Sequence, residues 1–187
     1  KIMSQFLTYQ QLEENLDYIK SSPKNNGTLN LIVRRPNEDE REVLSEAKLT
    51  FADGLQGDNW KYRKSRHTPD GSPLPSMQLN LMNKRCIEVI AQSKEKWPLA
   101  GDQLFVDLDL SEDNLQPGDQ LQIGSAIIQI SKEPHNGCHK FAARFGTDSV
   151  KFINDKRGKH YHLRGLNAQV IKEGTIKEND TIVKIGD

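Results

Sequence analysis

Apolar and polar residues alternate with a period of two over several short stretches of the chain. Examples are "TLNLIVRRP", "DQLFVDLDL", "DQLQIGSAIIQIS" and "DTIVKIG". Successive side chains of a strand point to opposite faces of a sheet, so this pattern predicts strands. Gly-Asp pairs at 57–58, 101–102 and 118–119 separate the stretches and indicate turns. Many short strands joined by such turns predict a mostly-β fold, a barrel that carries a few helices.

A helical spacing marks the start of the chain. Thr8 is suited to be a helix N-cap, and Gln11 follows it at the spacing of a capping box. Three apolar residues then recur at helical intervals: Leu12, Leu16 and Ile19. We therefore predict an N-terminal helical extension over residues 1–24, which serves packing or a partner, and a barrel domain over residues 25–187. A further helix is predicted in "NKRCIEVIAQS".

Composition narrows the class of protein. The chain has 187 residues, which is enough for one domain with a proper core. Its 26 Lys and Arg residues equal its 26 Asp and Glu residues. A balanced charge provides no basic field that would attract nucleic acid or an anionic membrane, so we expect neither as a partner. No apolar run approaches the roughly 20 residues that a membrane span needs.

Two features favour the cytoplasm as the compartment of this protein. The start of the sequence lacks the basic segment, apolar core and cleavage site of a secretory signal. The two cysteines, Cys86 and Cys138, are far apart and do not make a disulfide framework. A reducing compartment is therefore expected.

The segment "KEPHNGCHKFAARFG", residues 132–146, holds the main candidate for chemistry. Cys138 lies at the predicted start of a short helix and has polar flanks, whereas a structural cysteine prefers apolar ones. The helix dipole and nearby cations favour the thiolate over the thiol at such a position. Cys86 lies instead on an apolar helical pattern, and we interpret it as a core residue.

The neighbours of Cys138 leave several interpretations open. Lys140 and Arg144 are four residues apart, so either a bound anion or plain exposure to solvent would relieve their repulsion. His135 and His139 could belong to a zinc site, which needs four ligands, or to a Cys–His nucleophile pair. The sequence completes neither arrangement. The other histidines lie in distant predicted loops: His67, His160 and His162.

Two polar segments are predicted to be loops. Residues 61–75 form a long one, and a loop of that length inside a compact domain is either functional or disordered. The cationic stretch "NDKRGKHYHLRG", residues 154–165, is interpreted as a solvated loop that leads into a strand. Its cations are Arg157, Lys159 and Arg164.

Taken in order, these motifs resemble the MOSC domain, a family named for the C-terminal domain of molybdenum cofactor sulfurase. The resemblance covers roughly residues 28–186 and includes "GLQGDNW", "AGDQLFVDLDL", "LQPGDQLQIGSAIIQIS", "EPHNGCHKFAARFG" and "RGKHYHLRG". Its most specific part is the lone cysteine after an apolar strand, followed by a helix with Arg and Phe-Gly. The resemblance implies a MOSC-type β-barrel like the one inserted in pyruvate kinases.

The resemblance also implies a pyranopterin molybdenum cofactor (molybdopterin). Cys138 would be the molybdenum ligand, and hence catalytic, or would carry sulfur. Lys140, Arg144 and Arg164 would meet the phosphate or the pterin, since Arg forms forked bonds to such groups. The other candidate cofactor-binding residues are Asn136, His139 and Asp58. The early loop departs from the family, because it ends in Trp60 where Gly-Asp-x-His is common, so no role for that histidine carries over.

Family members include small reductases that remove oxygen from N-hydroxylated compounds, which implies an oxidoreductase with a small-molecule substrate. The sequence shows no iron–sulfur cysteine set and no aminotransferase-like domain. Electrons or sulfur would therefore come from a separate donor protein. Two alternatives stay open. One is a sulfur-carrier or cofactor-transfer module that uses a Cys138 persulfide, and the other is a non-catalytic barrel.

Overall fold

A computed structural model describes residues 6–186. The strands of this part of the chain are β1 (Gly27–Arg34), β2 (Glu42–Leu44), β3 (Glu46–Thr50), β4 (Gly54–Leu55), β5 (Leu79–Asn83), β6 (Leu104–Asp107), β7 (Gln120–Ile123), β8 (Ala126–Ile130), β9 (Leu166–Lys172), β10 (Gly174–Lys177) and β11 (Thr181–Ile185). The α-helices are α1 (Tyr9–Glu14), α2 (Leu16–Lys20), α3 (Lys84–Ala91), α4 (His139–Phe145), α5 (Thr147–Asn154) and α6 (Lys156–His160). Short 3₁₀ helices cover Trp60–Tyr62, Pro75–Met77 and Lys94–Ala100.

Seven strands close into a barrel. Their spatial order is β1, β6, β5, β9, β8, β7 and β11, and β11 pairs back onto β1 where Gly27 lies opposite Ile182. All neighbours are antiparallel except β5 and β6, which are parallel. β2 extends the sheet from β1, while β10, β3 and β4 form a small separate sheet. This architecture confirms the predicted mostly-β barrel with a few helices.

The alternation in the sequence fills the barrel interior. In β8, Ala126, Ile128 and Ile130 are buried, and the residues between them are partly exposed. Equivalent side chains from the other strands join them in one apolar cluster. Each fully buried aliphatic side chain stabilises the fold by about 1.5–3 kcal/mol relative to an exposed one. The barrel is therefore a packed core, and a ligand site must lie outside it.

A second apolar cluster packs the helices against the outside of the barrel. It includes Leu12 and Ile19 from the N-terminal helices together with Phe141, Phe145 and Phe152. The capping box at Thr8 is present as predicted, but Asn15 separates α1 from α2 where we expected one helix. The proposed division at residue 24 stays a prediction, because α1 and α2 share this core with α4 and α5, and residues 1–5 lie outside the described residues.

The interpretation of residues 154–165 as a solvated loop is wrong in one respect. Residues Lys156–His160 form α6, whose N-cap is Asp155: its carboxylate accepts a hydrogen bond from the backbone N–H of Gly158 at 2.7 Å. Gly158 is buried, and a Cβ there would lie 2.3 Å from the carbonyl oxygen of Phe152. This close approach explains the glycine.

The segment 61–75 is mainly irregular, as predicted, and runs over the surface. Within residues 6–186, no helix combines the length and the apolar character needed to cross a membrane.

Candidate functional site

Cys138 lies at the N-cap of α4, at the end of the segment that follows β8, and its side chain is exposed. The segment is held by Asn154 from α5. The Asn154 side chain accepts a hydrogen bond from the Gly137 N–H at 2.9 Å and donates one to the Gly137 carbonyl at 3.0 Å. A Cβ at Gly137 would lie 2.6 Å from Ile153 Cδ1, so glycine lets the chain approach α5 closely. The sequence did not point to Asn154.

The thiol faces a cavity of about 790 Å³, which we call the cysteine cavity. Its cationic lining residues are Arg35, Arg41, Arg63, Lys64, Lys140, Arg144 and Arg164, and its acidic ones are Glu38 and Asp39. The chain as a whole has no net charge. A neutral protein thus concentrates positive charge around its one exposed cysteine, and such a cavity favours an anionic ligand.

Asp58 does not line this cavity, although we expected it to bind the cofactor. It is 1% exposed, and its carboxylate accepts from Arg35 Nε at 2.9 Å and from Arg35 Nη2 at 2.7 Å. The backbone N–H of Trp60 and the amide of Gln103 also donate to it, at 3.1 and 3.3 Å. Its oxygens are engaged by protein donors, so Asp58 positions the Arg35 guanidinium in the cavity wall.

A second buried pair positions Arg164. Its Nη1 donates to Asp102 Oδ2 at 2.6 Å, its Nη2 donates to the Ala100 carbonyl at 2.9 Å, and its guanidinium lies 5.0 Å from the ring centre of Phe141. Burial would raise the pKa of Asp102, but the Arg164 charge and the contact with His135 outweigh burial and hold that pKa below its usual value. Arg164 is therefore a fixed, planar donor in the wall.

His135 lies on the other side of Asp102, with its Nε2 at 3.2 Å from Asp102 Oδ1. Burial lowers the pKa of His135, and the Arg164 charge lowers it further, so the imidazole is neutral near pH 7. Because a carboxylate only accepts hydrogen bonds, Nε2 carries the proton. His135 lines the cysteine cavity and both cavities next to it.

Arg41 and Arg144 meet at Gly101, where an added Cβ would lie 3.7 Å from Arg41 Nη2 and 3.9 Å from Arg144 Nη1. Among residues 6–186, the partners of Arg41 are two carbonyl oxygens, those of Pro98 and Glu40, at 3.1 and 2.8 Å. Burial lowers the pKa of Arg41, and the charges of Arg144 and Arg35 add to this effect. An anion bound beside Arg41 would therefore be electrostatically favourable.

The rim cations have weaker partners. Lys140 lies 3.4 Å from Glu38, and Arg144 lies 3.3 Å from Asp39 while donating to the Leu99 carbonyl at 3.0 Å. Both carboxylates are largely exposed, at 80% and 73%. Exposed pairs of this kind contribute only about 0–1 kcal/mol, so a bound anion can replace them.

Four of the seven cations in the cavity wall have an acidic partner: Arg35 with Asp58, Arg164 with Asp102, Lys140 with Glu38 and Arg144 with Asp39. Within the described residues, Arg41, Arg63 and Lys64 have no ion pair. These three cations give the cavity its net positive charge.

The remaining candidates lie elsewhere. Asn136 is exposed and lines a neighbouring cavity, whereas His139 is exposed and lines none of the three cavities around His135. Arg157 pairs with Glu13, and His160 contacts Asp113 at 2.9 Å, both away from Cys138. No group of three or more His, Cys, Asp or Glu residues within 6–186 could hold a metal ion, so the zinc interpretation finds no support there.

Sequence reasoning missed Arg35, Arg41, Arg63 and the Asp102–His135 contact. Arg35 directly follows β1, and Arg41 lies in the loop before β2. The available signal for Arg35 was its place at the end of the predicted strand in "TLNLIVRRP", where side chains can reach a barrel rim. The pairing of Asp102 with Arg164 joins residues 62 positions apart, which no local pattern reveals.

Comparison with known proteins identifies the class. The family model of the MOSC domain matches residues 75–183, more than half of the chain, so this protein belongs to the MOSC family. No protein with curated function matches the chain significantly.

Solved structures share the fold. The YuaD protein from Bacillus subtilis is 14% identical, with a TM-score of 0.64, over 86% of this chain and 97% of that one. YiiM from Escherichia coli is 18% identical, with a TM-score of 0.54, over 86% of this chain and 70% of that one. YiiM from Geobacillus stearothermophilus gives the same identity and TM-score and covers 86% of this chain and 75% of its own. At these identities the likeness concerns the barrel fold alone.

Proposed function

We propose that this protein binds a pyranopterin molybdenum cofactor in the cysteine cavity and that Cys138 is the molybdenum ligand. One observation carries the proposal: the exposed thiol of Cys138 lies in the wall of a cavity with three cations that form no ion pair with a described residue. The MOSC family is associated with this cofactor, which joins a soft metal centre to a negatively charged phosphate.

The residues present fit such a group. A cysteine sulfur is a soft ligand of the kind that suits molybdenum, and it is exposed to the cavity rather than packed in the core. The volume of about 790 Å³ lies in the range of cofactor sites, about 300–1,000 Å³. The excess of guanidinium groups is suited to a phosphate, because Arg donates bidentate hydrogen bonds to phosphate oxygens.

Each wall residue then has a role. Arg41, Lys140 and Arg144, grouped on one side of the cavity, would bind the phosphate. Arg164 would present a flat guanidinium edge to the pterin, with its direction fixed by Asp102. Asn136, His139 and Asp58 receive no direct contact with the cofactor in this proposal, because none of them lines the cavity.

The reaction proposed is the reductive removal of oxygen from an N-hydroxylated small molecule, with electrons from a separate donor protein. When bound, the cofactor supplies the two-electron redox chemistry. The chain contributes binding and orientation, and it offers His135, held by Asp102, as a neutral imidazole at the cavity wall. Because its Nε2–H is directed to Asp102, the unprotonated Nδ1 is the nitrogen that can accept a hydrogen bond from the N–OH group of the substrate.

The test compares two cysteines of the same chain. Wild type, Cys138→Ser and Cys86→Ala are purified from a host that makes the cofactor, and molybdenum is measured by elemental mass spectrometry and the pterin by fluorescence after oxidation. We expect metal and pterin near one per chain in wild type and in Cys86→Ala, and loss of metal in Cys138→Ser. Full metal retention in Cys138→Ser, or neither component in wild type, would overturn the proposal.

The same samples distinguish the sulfur-carrier alternative. Intact-mass measurement under sulfur-loading conditions would then find one added sulfur atom in wild type and Cys86→Ala, none in Cys138→Ser, and no stoichiometric pterin. A protein with cofactor but without activity toward N-hydroxylated compounds would retain the binding proposal and remove the reductase.

A further inference from the structure

A second cavity lies under the loop 61–75, and we call it the loop cavity. Its volume is about 460 Å³. Five residues line both this cavity and the cysteine cavity: Arg35, Arg63, Lys64, Asn80 and His135. The two cavities are therefore adjacent and share a wall. Cys138 lines the cysteine cavity and is absent from the loop cavity.

The loop cavity is cationic and has no acidic lining residue. Arg63, Lys64 and Arg66 line it, and none of them forms an ion pair with a described residue. Arg63 donates through Nε to the Asn59 side chain at 3.0 Å. Partial desolvation first, and the charge of Arg35 second, lower the pKa of Arg63, while the residue as a whole is exposed.

Part of the lining of the loop cavity is apolar. It consists of the ring of Trp60, which is 8% exposed, with Pro73, Leu74 and Met77. Apolar side chains and cations that have no ion pair with a described residue line the same cavity, and this combination is suited to a ligand with a flat apolar body and one anionic group. Such a ligand would bury its apolar part on Trp60 and direct its charge toward the arginines.

The cations without an ion pair to a described residue outnumber the charges of one cofactor phosphate. Across both cavities, four cations lack an acidic partner among the described residues: Arg41, Arg63, Lys64 and Arg66. One phosphate monoester carries about 1.5–2 negative charges. A phosphate bound by Arg41 with Lys140 and Arg144 leaves the positive charge of the loop cavity uncompensated.

We propose that the loop cavity binds an organic anion with a flat apolar body, and that such a compound is the substrate of this protein. The second half of this inference rests on the proposed function, while the binding of the anion does not. The shared wall would place the reacting end of the ligand beside His135, at the boundary with the cysteine cavity. Carboxylate and phosphate are the two anionic groups that the arginines would accept.

The test uses cofactor-free protein and three small probes. Benzoate and phenyl phosphate carry the two anionic groups, and benzyl alcohol is the neutral match. Binding is followed by NMR through the indole N–H signal of Trp60, which a Trp60→Phe variant assigns against Trp97. We expect saturable shifts with at least one of the two anions and none with benzyl alcohol. Which anion binds more tightly identifies the charged group.

Two arginine variants locate the site. Of these two cavities, Arg66 lines only the loop cavity and Arg144 lines only the cysteine cavity. Arg66 is exposed, so Arg66→Gln should weaken the anion roughly two- to fivefold. Arg144→Gln should leave its affinity unchanged. The inference would be overturned if benzyl alcohol bound as tightly as the anions, or if anion affinity fell in Arg144→Gln and not in Arg66→Gln.

Failure of this inference is distinguishable from failure of the proposed function. If molybdenum and pterin bind but neither anion does, the loop cavity is not the anion site and the cofactor proposal stands. If an anion binds with the expected variant pattern while metal and pterin are absent, the anion site stands and its assignment to a reductase substrate is lost.

Discussion

The two cysteines lie in the same local setting and have opposite surroundings. Both are at the start of a helix: Cys86 is in the first turn of α3, where its N–H is capped by Asn83 at 2.9 Å, and Cys138 is the N-cap of α4. Cys86 is fully buried, and this burial raises its pKa to about 12. Cys138 is exposed in a cationic cavity. A helix start alone therefore does not make a cysteine reactive, because burial can outweigh it.

The largest expected difference is in thiol reactivity. Timed labelling of the native protein with a neutral thiol reagent, read by peptide mass spectrometry, should modify Cys138 and spare Cys86. Cys86 reacts only when the core opens, so we expect its rate to be slower by roughly a thousandfold or more. Comparable rates in folded protein would contradict the comparison.

The stability of the cysteine cavity wall depends on buried ion pairs, whereas the surroundings of Cys86 are stabilised by apolar packing. Asp58→Asn removes the charge that balances Arg35 and leaves a cation 4% exposed. We expect the free energy of unfolding to fall by about 3–5 kcal/mol, measured by urea denaturation.

The control for this change is Asp53→Asn, which breaks the pair between Asp53 and the exposed Lys61. Its expected loss is below about 1 kcal/mol. Equal losses in the two variants would mean that Asp58 does not hold Arg35 as described.

The same substitution at the two cysteines should have unequal effects on stability. Cys86→Ser places a hydroxyl in the apolar cluster and should lower the free energy of unfolding by about 1–3 kcal/mol. Cys138→Ser changes an exposed side chain and should stay within about 0.5 kcal/mol of wild type. Chemical denaturation of both variants measures the difference, and a reversal of the order would contradict it.

The smallest expected effect is a pH dependence from His135. The pKa of His135 is lowered in the folded state, by burial first and by Arg164 second. Its contribution to the free energy of unfolding is therefore fully present above the unfolded-state pKa of about 6.5, and it is lost as the pH falls toward the folded-state pKa. The facing charges are Asp102, Arg164 and Arg35. Asp102, whose pKa is also lowered, adds a loss of the same sign at lower pH.

Wild type should therefore lose stability between pH 7 and pH 5 more steeply than His135→Gln does. Denaturation midpoints at several pH values measure the two slopes. The pKa of exposed His160 is raised, mainly by Asp113, so its contribution has the opposite sign, but it is present in both proteins and cancels in the difference. Parallel slopes would remove His135 as the source.

Much of the fold was accessible from local patterns. The alternation in "DQLQIGSAIIQIS" corresponds to β7 and β8, and the capping box at Thr8 begins α1. The errors were local as well. Asn15 divides the first helix, and α6 depends on an Asp155 cap inside a stretch whose many cations suggested only a solvated loop.

The site was only partly predictable. Polar flanks and a helix start singled out Cys138, and Lys140, Arg144 and Arg164 line the same cavity, while their role toward a cofactor stays a prediction. Asp58 shows what local patterns could not supply: the sequence indicates a Gly-Asp turn but not that its carboxylate points inward to Arg35, 23 residues earlier.

The sequence by itself determined the strand and turn pattern, the contrast between the two cysteines and the resemblance to the MOSC family, because these depend on neighbours a few positions apart. Only the tertiary structure decided which cations have partners. Closing the barrel brings β1, the 61–75 loop, Asp102 and Arg164 to one rim, and ion pairs form or fail there according to distance and burial. Four cations have no ion pair within residues 6–186, namely Arg41, Arg63, Lys64 and Arg66, and this is a property of that assembled rim, as are the two adjoining cavities they line.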